Sequence, residues 1–156
     1  MSAEEYMRAA WQQAREGILA EQTPFGACIV RAGEIISGAH NTVWAATDST
    51  AHAEILAIRA ANQRLQTIDL AGCVIYTTCE PCPMCFTACH WAHLDGIVYG
   101  AAIADAADAG FRELTIPAAE MKRLGGSPIA LHGGVLREEN IALFAQWLAQ
   151  PGRRSY

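Results

Sequence analysis

The sequence predicts a three-layer α/β/α sandwich built on a mixed five-stranded sheet, and three observations predict it. Helix-period and strand-like stretches alternate along the chain in the order α-β-β-α-β-α-β-α-β-α. The 156 residues are enough for one well-buried domain spanning 1–156, and no Ser- or Pro-rich linker interrupts a chain that is 52% hydrophobic. The first two strand-like runs are joined by a few residues and form an antiparallel hairpin, whereas later strands are separated by helices and require parallel crossovers.

The elements follow in order. Ser2-Ala3-Glu4-Glu5 is a capping box, after which Tyr6, Met7, Ala10, Trp11, Ala14 and Ile18 recur at helical spacing. Phe25 to Val30 and Ile35 to His40 are β-prone runs joined at Ala32-Gly33-Glu34. A second helix opens at His52 and ends near Leu65, with Asp48, Ser49 and Thr50 as capping candidates. Cys73 to Thr77 is a compact apolar strand leading into a helix over Cys82 to His93, and Gly96 to Gly100 is the next strand. Ile103 to Ala109 reads as a short helix or turn, and Ile116 to Leu124 as a helix ended by Gly125-Gly126. A last strand, Pro128 to His132, precedes a last helix, Arg137 to Ala149. The helix between the fourth and fifth strands makes those two parallel through a right-handed crossover. The sheet is expected to be largely parallel.

Composition narrows the function. The net charge is -5, and the eleven Lys and Arg are scattered, adjacent only at Lys122-Arg123 and Arg153-Arg154. A polynucleotide ligand normally leaves a basic footprint, so this balance favours a small uncharged substrate. Met1 to Arg15 reads as a charged helix and not a signal peptide, and no apolar run reaches membrane-spanning length. Six cysteines in such a chain read as reduced thiols in the cytoplasm, consistent with metal use.

Two fragments carry the chemistry: His52-Ala53-Glu54 and Pro81-Cys82-Pro83-Met84-Cys85. Together they offer one imidazole, two thiolates and a carboxylate. Zinc takes such nitrogen and sulfur donors tetrahedrally, and a catalytic site keeps three protein ligands and an open position. Cys82 and Cys85, three residues apart, share one helix face. Pro81 and Pro83 suit a loop entering a first helical turn, whose partial positive charge favours thiolates. Glu54 lies about 200° around the helix from His52, placed to reach over the ion without binding it and to move protons.

A rival reading uses Cys79, Cys82, Cys85 and Cys89, which have the C-x2-C-x2-C-x3-C spacing of an iron–sulfur run and would make this an electron-transfer protein. Against it, His90 stands where that run continues with proline, only one run exists, and Cys89 falls about 6 Å further along a helix than Cys85. Cys79, Cys89, Cys28 and Cys73 read instead as small buried hydrophobes.

These motifs resemble those of the cytidine-deaminase-like superfamily of zinc deaminases. With Pro24-Phe25-Gly26-Ala27, Asn41, Trp91-Ala92, Ala107-Asp108-Ala109-Gly110-Phe111 and the terminal Phe144, Trp147 and Tyr156, the chain is most similar to the guanine deaminase branch. The resemblance implies one zinc per chain on His52, Cys82 and Cys85, with Glu54 as proton carrier. It implies hydrolytic attack on the amidine carbon of a free heterocycle and loss of ammonia, guanine giving xanthine. Asn41 would hydrogen-bond the base. Phe25, Ala53, Trp91 and Phe111 would line its surroundings, and Glu113 and Tyr156 would also contact it. The resemblance further implies a homodimer whose C-terminal segments cross to close the partner's pocket. One departure stands out. After Gly110-Phe111 the guanine deaminases carry two aspartates, the second reading the base, and this chain has Arg112-Glu113. Glu113 is then either a base-reader with a longer arm or the mark of a pocket altered for another heterocycle, such as cytosine or an aminotriazine. A tRNA adenosine deaminase shares the same metal motifs and is the other alternative.

Overall fold

A computed structural model describes residues 1–112 and 114–156. Helix α1 (Ala3–Leu19) begins at Ser2, whose hydroxyl accepts from the Glu5 amide while the Glu5 carboxylate accepts from the Ser2 amide. Its buried face presents Tyr6, Met7, Ala10, Ala14, Gly17 and Ile18. The small residues let the helix lie on the sheet backbone to backbone. A methyl group added at Gly26 would come within 2.2 Å of the Ala10 carbonyl oxygen.

Strands β1 (Gly26–Arg31) and β2 (Glu34–His40) form the expected hairpin. Its two-residue turn has Ala32 at φ 49° and Gly33 at φ 84°, the paired positive φ that matches the twist of the flanking strands. A short helix α2 (Val43–Ala46) follows, an element the periodicity does not reveal in four residues. Helix α3 (Ala53–Leu65) leads to β3 (Cys73–Cys79), α4 (Pro83–Trp91) leads to β4 (Gly96–Ala101), and α5 (Ile103–Asp108) with α6 (Ala118–Gly125) leads to β5 (Ala130–His132). The C-terminal end of α6 is set by Gly126 at φ 63°. Helix α7 (Arg137–Leu148) closes the order.

The sheet order is β2-β1-β3-β4-β5. The pairs β3–β4 and β4–β5 are parallel as expected, but β1 runs antiparallel to both β2 and β3. The sheet is therefore half parallel, not largely so. The reason is topological: α3 carries the chain from β2 to a strand of the same direction, and β1 is wedged between the two. Strand alternation then sorts the core. Cys28, Val30 and Tyr76 face α1 together with Tyr6, Met7 and Ala10, whereas Ala27, Ile29 and Ile75 join the larger core with Ala53, Ala57, Ala61 and Ile97. Helices α1 and α7 cover one face, and α3 and α4 the other.

One consequence positions everything that follows. The carboxyl ends of β2, β3 and β4 share a single sheet edge with the beginning of β1. Phe25, Asn41, His52, Cys82 and Ile103 all leave the sheet from that edge, the place where open α/β sheets hold ligands.

Candidate zinc and substrate site

His52 is the N-cap residue of α3 and Cys82 that of α4, both in extended backbone conformation (φ -68°, ψ 154° and φ -61°, ψ 166°). Neither side chain caps its own helix. Both turn toward a common point, joined by Cys85 from the first turn of α4. Asp48, one of the capping candidates, instead accepts from the Thr50 amide and hydroxyl at 2.8 and 2.7 Å, shaping the turn before α3.

His52 Nδ1 lies 3.7 Å from Cys82 Sγ and 3.6 Å from Cys85 Sγ, and the three ligand atoms fall within 4.8 Å of one another. Tetrahedral bonds of about 2.05 Å to nitrogen and 2.3 Å to sulfur require a nitrogen–sulfur separation of about 3.6 Å. The donor set and its spacing therefore fit zinc. Cys89 is a turn further along α4 in the hydrophobic core, and Cys79 ends β3 with its sulfur 3.7 Å from the Ala102 carbonyl. Among the described residues neither joins the ligand cluster.

The electrostatics suit two thiolates in sequence. Cys82 has its pKa brought down to about 4, first by the hydrogen bond its sulfur accepts from Cys85 and further by His52. Cys85, the donor, is held well above its usual value by that bond and by burial.

Glu54 is buried on the first turn of α3 beside this cluster. Its Oε2 lies 3.5 Å from Cys85 Sγ, and its Oε1 is 3.3 Å from the Thr77 hydroxyl, which also approaches the Cys79 carbonyl at 3.0 Å. Burial pushes the Glu54 carboxyl pKa up, with His52 opposing the shift. A carboxyl group whose proton affinity is raised in this way is suited to accept a proton and return it. Sequence reasoning missed Thr77. The available signal was a polar pair, Thr77-Thr78, at the end of an otherwise apolar strand.

Over the metal cluster stands a polar pair. Asn41 is fully buried; its Oδ1 accepts from the Val43 amide at 3.0 Å, which aims its Nδ2 at the Tyr156 hydroxyl, 2.7 Å away. The Tyr156 ring stands 5.5 Å from the His52 ring. Phe111 packs against Phe25 (4.9 Å), Trp147 (4.8 Å) and Tyr156 (6.1 Å), with Phe144 behind Phe25 at 6.0 Å. A cavity of about 250 Å³ opens above, bounded by His52, Cys82, Met84, Phe111, Arg112 and Tyr156. Tyr156 separates it from a small recess reaching Glu54 and Glu80.

Two other residues tie down the terminal segment. The Trp44 indole N–H donates to the Arg154 carbonyl at 3.1 Å, and the Arg154 guanidinium lies 4.5 Å over the Trp44 ring. No sequence pattern announces this pair. Of the expected substrate contacts, Asn41, Phe25, Ala53, Phe111 and Tyr156 surround or underlie the site. Trp91 is 76% exposed at the far end of α4, about 13 Å along the helix from Cys82, and is not among the residues that bound the cavity. Glu113 lies outside the described residues. No helix of the described residues is long and apolar enough to cross a membrane.

Comparison with known proteins places the geometry. Residues 1–101 match the model of the cytidine and deoxycytidylate deaminase zinc-binding region. The chain is 43% identical over 127 residues to the guanine deaminase of Bacillus subtilis, covering 77% of this chain and 81% of that protein. It is 43% identical over 101 residues to a tRNA-specific adenosine deaminase of Aquifex aeolicus, covering 65% and 67%. The structure of guanine deaminase from Nitrosomonas europaea superposes with a TM-score of 0.88 at 32% identity, over 96% of this chain and 86% of that one. A mutant protein in complex with 8-azaguanine superposes equally well, over 95% and 85%. The triad, the matching model and these relatives together mean that the chain belongs to the cytidine and deoxycytidylate deaminase zinc-binding family, whose members are zinc-dependent hydrolytic deaminases.

Proposed function

We propose that this chain deaminates a free nucleobase, guanine, to xanthine and ammonia. The observation that carries the reading is the Asn41–Tyr156 polar pair, 2.7 Å across, set above the His52-Cys82-Cys85 cluster beside a cavity of about 250 Å³. That volume is below the roughly 300–1,000 Å³ of sites for drug-sized ligands and suits one flat heterocycle. The similarity to guanine deaminases, which extends past the metal motifs into the aromatic wall, supports the same substrate.

His52, Cys82 and Cys85 would hold zinc, which would supply the Lewis acidity that activates water near neutral pH. Glu54 takes one proton from the attacking water and delivers it to the ring nitrogen, then carries the proton of the newly formed hydroxyl to the departing amine. The water oxygen ends on the amidine carbon, the carbon–nitrogen bond breaks, and ammonia leaves. Asn41 and Tyr156 orient the base edge, while Phe25 and Phe111 hold its plane and exclude water.

The protein acts in the cytoplasm as a homodimer in this reading. Trp91, exposed on the single chain, suits burial against a second copy, and six cysteines outside any disulfide among the described residues suit a reducing compartment. Tyr156 reaches its own chain's pocket here, and an exchanged terminus would make the same contacts from the partner. Action on tRNA is the second reading, favoured by the 43% identity over 101 residues to a tRNA-specific adenosine deaminase. The net charge of -5 and the tyrosine across the pocket argue for a small substrate.

The test is ammonia release from the zinc-loaded protein with guanine, cytosine, adenine, guanosine, an aminotriazine and a tRNA. Guanine alone should respond. Turnover of another heterocycle with guanine inert would keep the chemistry and overturn the substrate, and turnover of tRNA alone would favour the second reading.

A further inference from the structure

Two carboxylates are buried among the described residues, and the reaction above uses one of them. The other, Glu80, directly precedes Pro81-Cys82. Its Oε2 accepts from the Ile103 amide at 3.1 Å and its Oε1 from the Ala118 amide at 2.8 Å. These are the first helical residues of α5 and α6, so one side chain caps two helices with one oxygen each. Its own amide donates to the Ala101 carbonyl at 2.7 Å, fixing its backbone to the end of β4.

Between the two helices, Phe111 packs against Phe25 and Tyr156, and Arg112 borders the cavity. The helix that leads into this wall and the helix that follows it are thus both held at their first residue by a side chain two positions from a metal ligand. An apolar residue at position 80 would leave two buried amides unpaired, and glutamine can accept for only one of them while its NH2 opposes the other.

We propose that Glu80 is a positioning residue: by holding the starts of α5 and α6 it sets the height of Phe111 and Arg112, and with Phe111 the aromatic wall, above the metal-ligand loop. The proposal rests on the functional reading for its kinetic arm only. The test compares zinc-loaded wild type with Glu80→Gln and Glu80→Ala by zinc content, steady-state ammonia release from guanine, and amide hydrogen exchange. In Glu80→Gln zinc stays at one per chain, KM for guanine rises roughly tenfold with kcat changed less than about threefold, and exchange speeds up by roughly tenfold within 103–118 alone. Wild-type exchange in that segment overturns the proposal, as does acceleration spread over the whole chain, which marks a merely structural role. Loss of zinc from Glu80→Gln overturns it too. If wild type itself releases no ammonia, the functional reading has failed, and exchange in both variants still decides the role of Glu80. Glu80→Ala should exceed Glu80→Gln in the same segment, and the reverse order counts against a two-pronged clamp.

Discussion

The metal half of the site and the substrate half are built by different means. His52, Cys82 and Cys85 sit on the first residues of two helices, and their directions follow from local backbone geometry at two N-caps. The substrate half joins distant parts of the chain: Asn41 with Tyr156, Trp44 with Arg154, Phe25 with Phe144. Local geometry fixes the reaction, and long-range contacts shape what is admitted to it. The first 101 residues match the zinc-binding model and include Phe25, Asn41 and Trp44, while Phe111, Phe144, Trp147 and the terminal segment lie beyond them. Such a division lets one chemistry be kept while the substrate changes.

The sharpest break removes a ligand. Cys82→Ala leaves two donors and an exposed position, so zinc should fall well below one per chain and ammonia release should vanish. Stoichiometric zinc in that variant, measured by atomic absorption, would refute the ligand assignment. Next comes Glu54→Gln, which retains the side chain's shape but not its proton affinity. Turnover should drop by about 10²- to 10⁴-fold with zinc content and melting temperature near those of wild type. Full activity would leave the buried carboxyl without the role its raised pKa suits.

Much of this was legible in sequence, unevenly. The element order, the hairpin and the two helix starts follow from periodicity and caps, and the metal ligands from spacing. The antiparallel seat of β1 was hidden because a crossover fixes relative direction but does not say which strand lies between. Trp91 falls in a run of apolar residues, yet α4 turns that residue outward where it ends. Thr77 and Glu80 were invisible as functional groups because Glu54, Ile103 and Ala118, the partners that give them a role, are 23 to 38 residues away and two of those are met through backbone amides.

In the substrate half the effects should be smaller and confined to binding. Tyr156→Phe removes the hydroxyl that meets the buried Asn41 amide, and kcat/KM for guanine should fall by roughly 5- to 30-fold, the equivalent of about 1–2 kcal/mol. Zinc content should not change. An unchanged kcat/KM would mean that the terminus merely rests on the pocket.

Trp44→Ala is the mildest probe and the most discriminating. It touches no group of the reacting centre. It removes an exposed cation–π contact and one hydrogen bond to the Arg154 carbonyl, together about 1 kcal/mol of support for the terminal segment. KM for guanine should rise by about fivefold with kcat almost unmoved, because the ring and its proton carrier are intact in the fraction of molecules whose terminus is seated. Combined with Glu54→Gln, the two losses should multiply, since the sites share no partner and distant substitutions add in free energy within about 0.5 kcal/mol. A strongly non-multiplicative pair would mean that seating the terminus also sets the proton carrier, and that the two halves of the site are a single device.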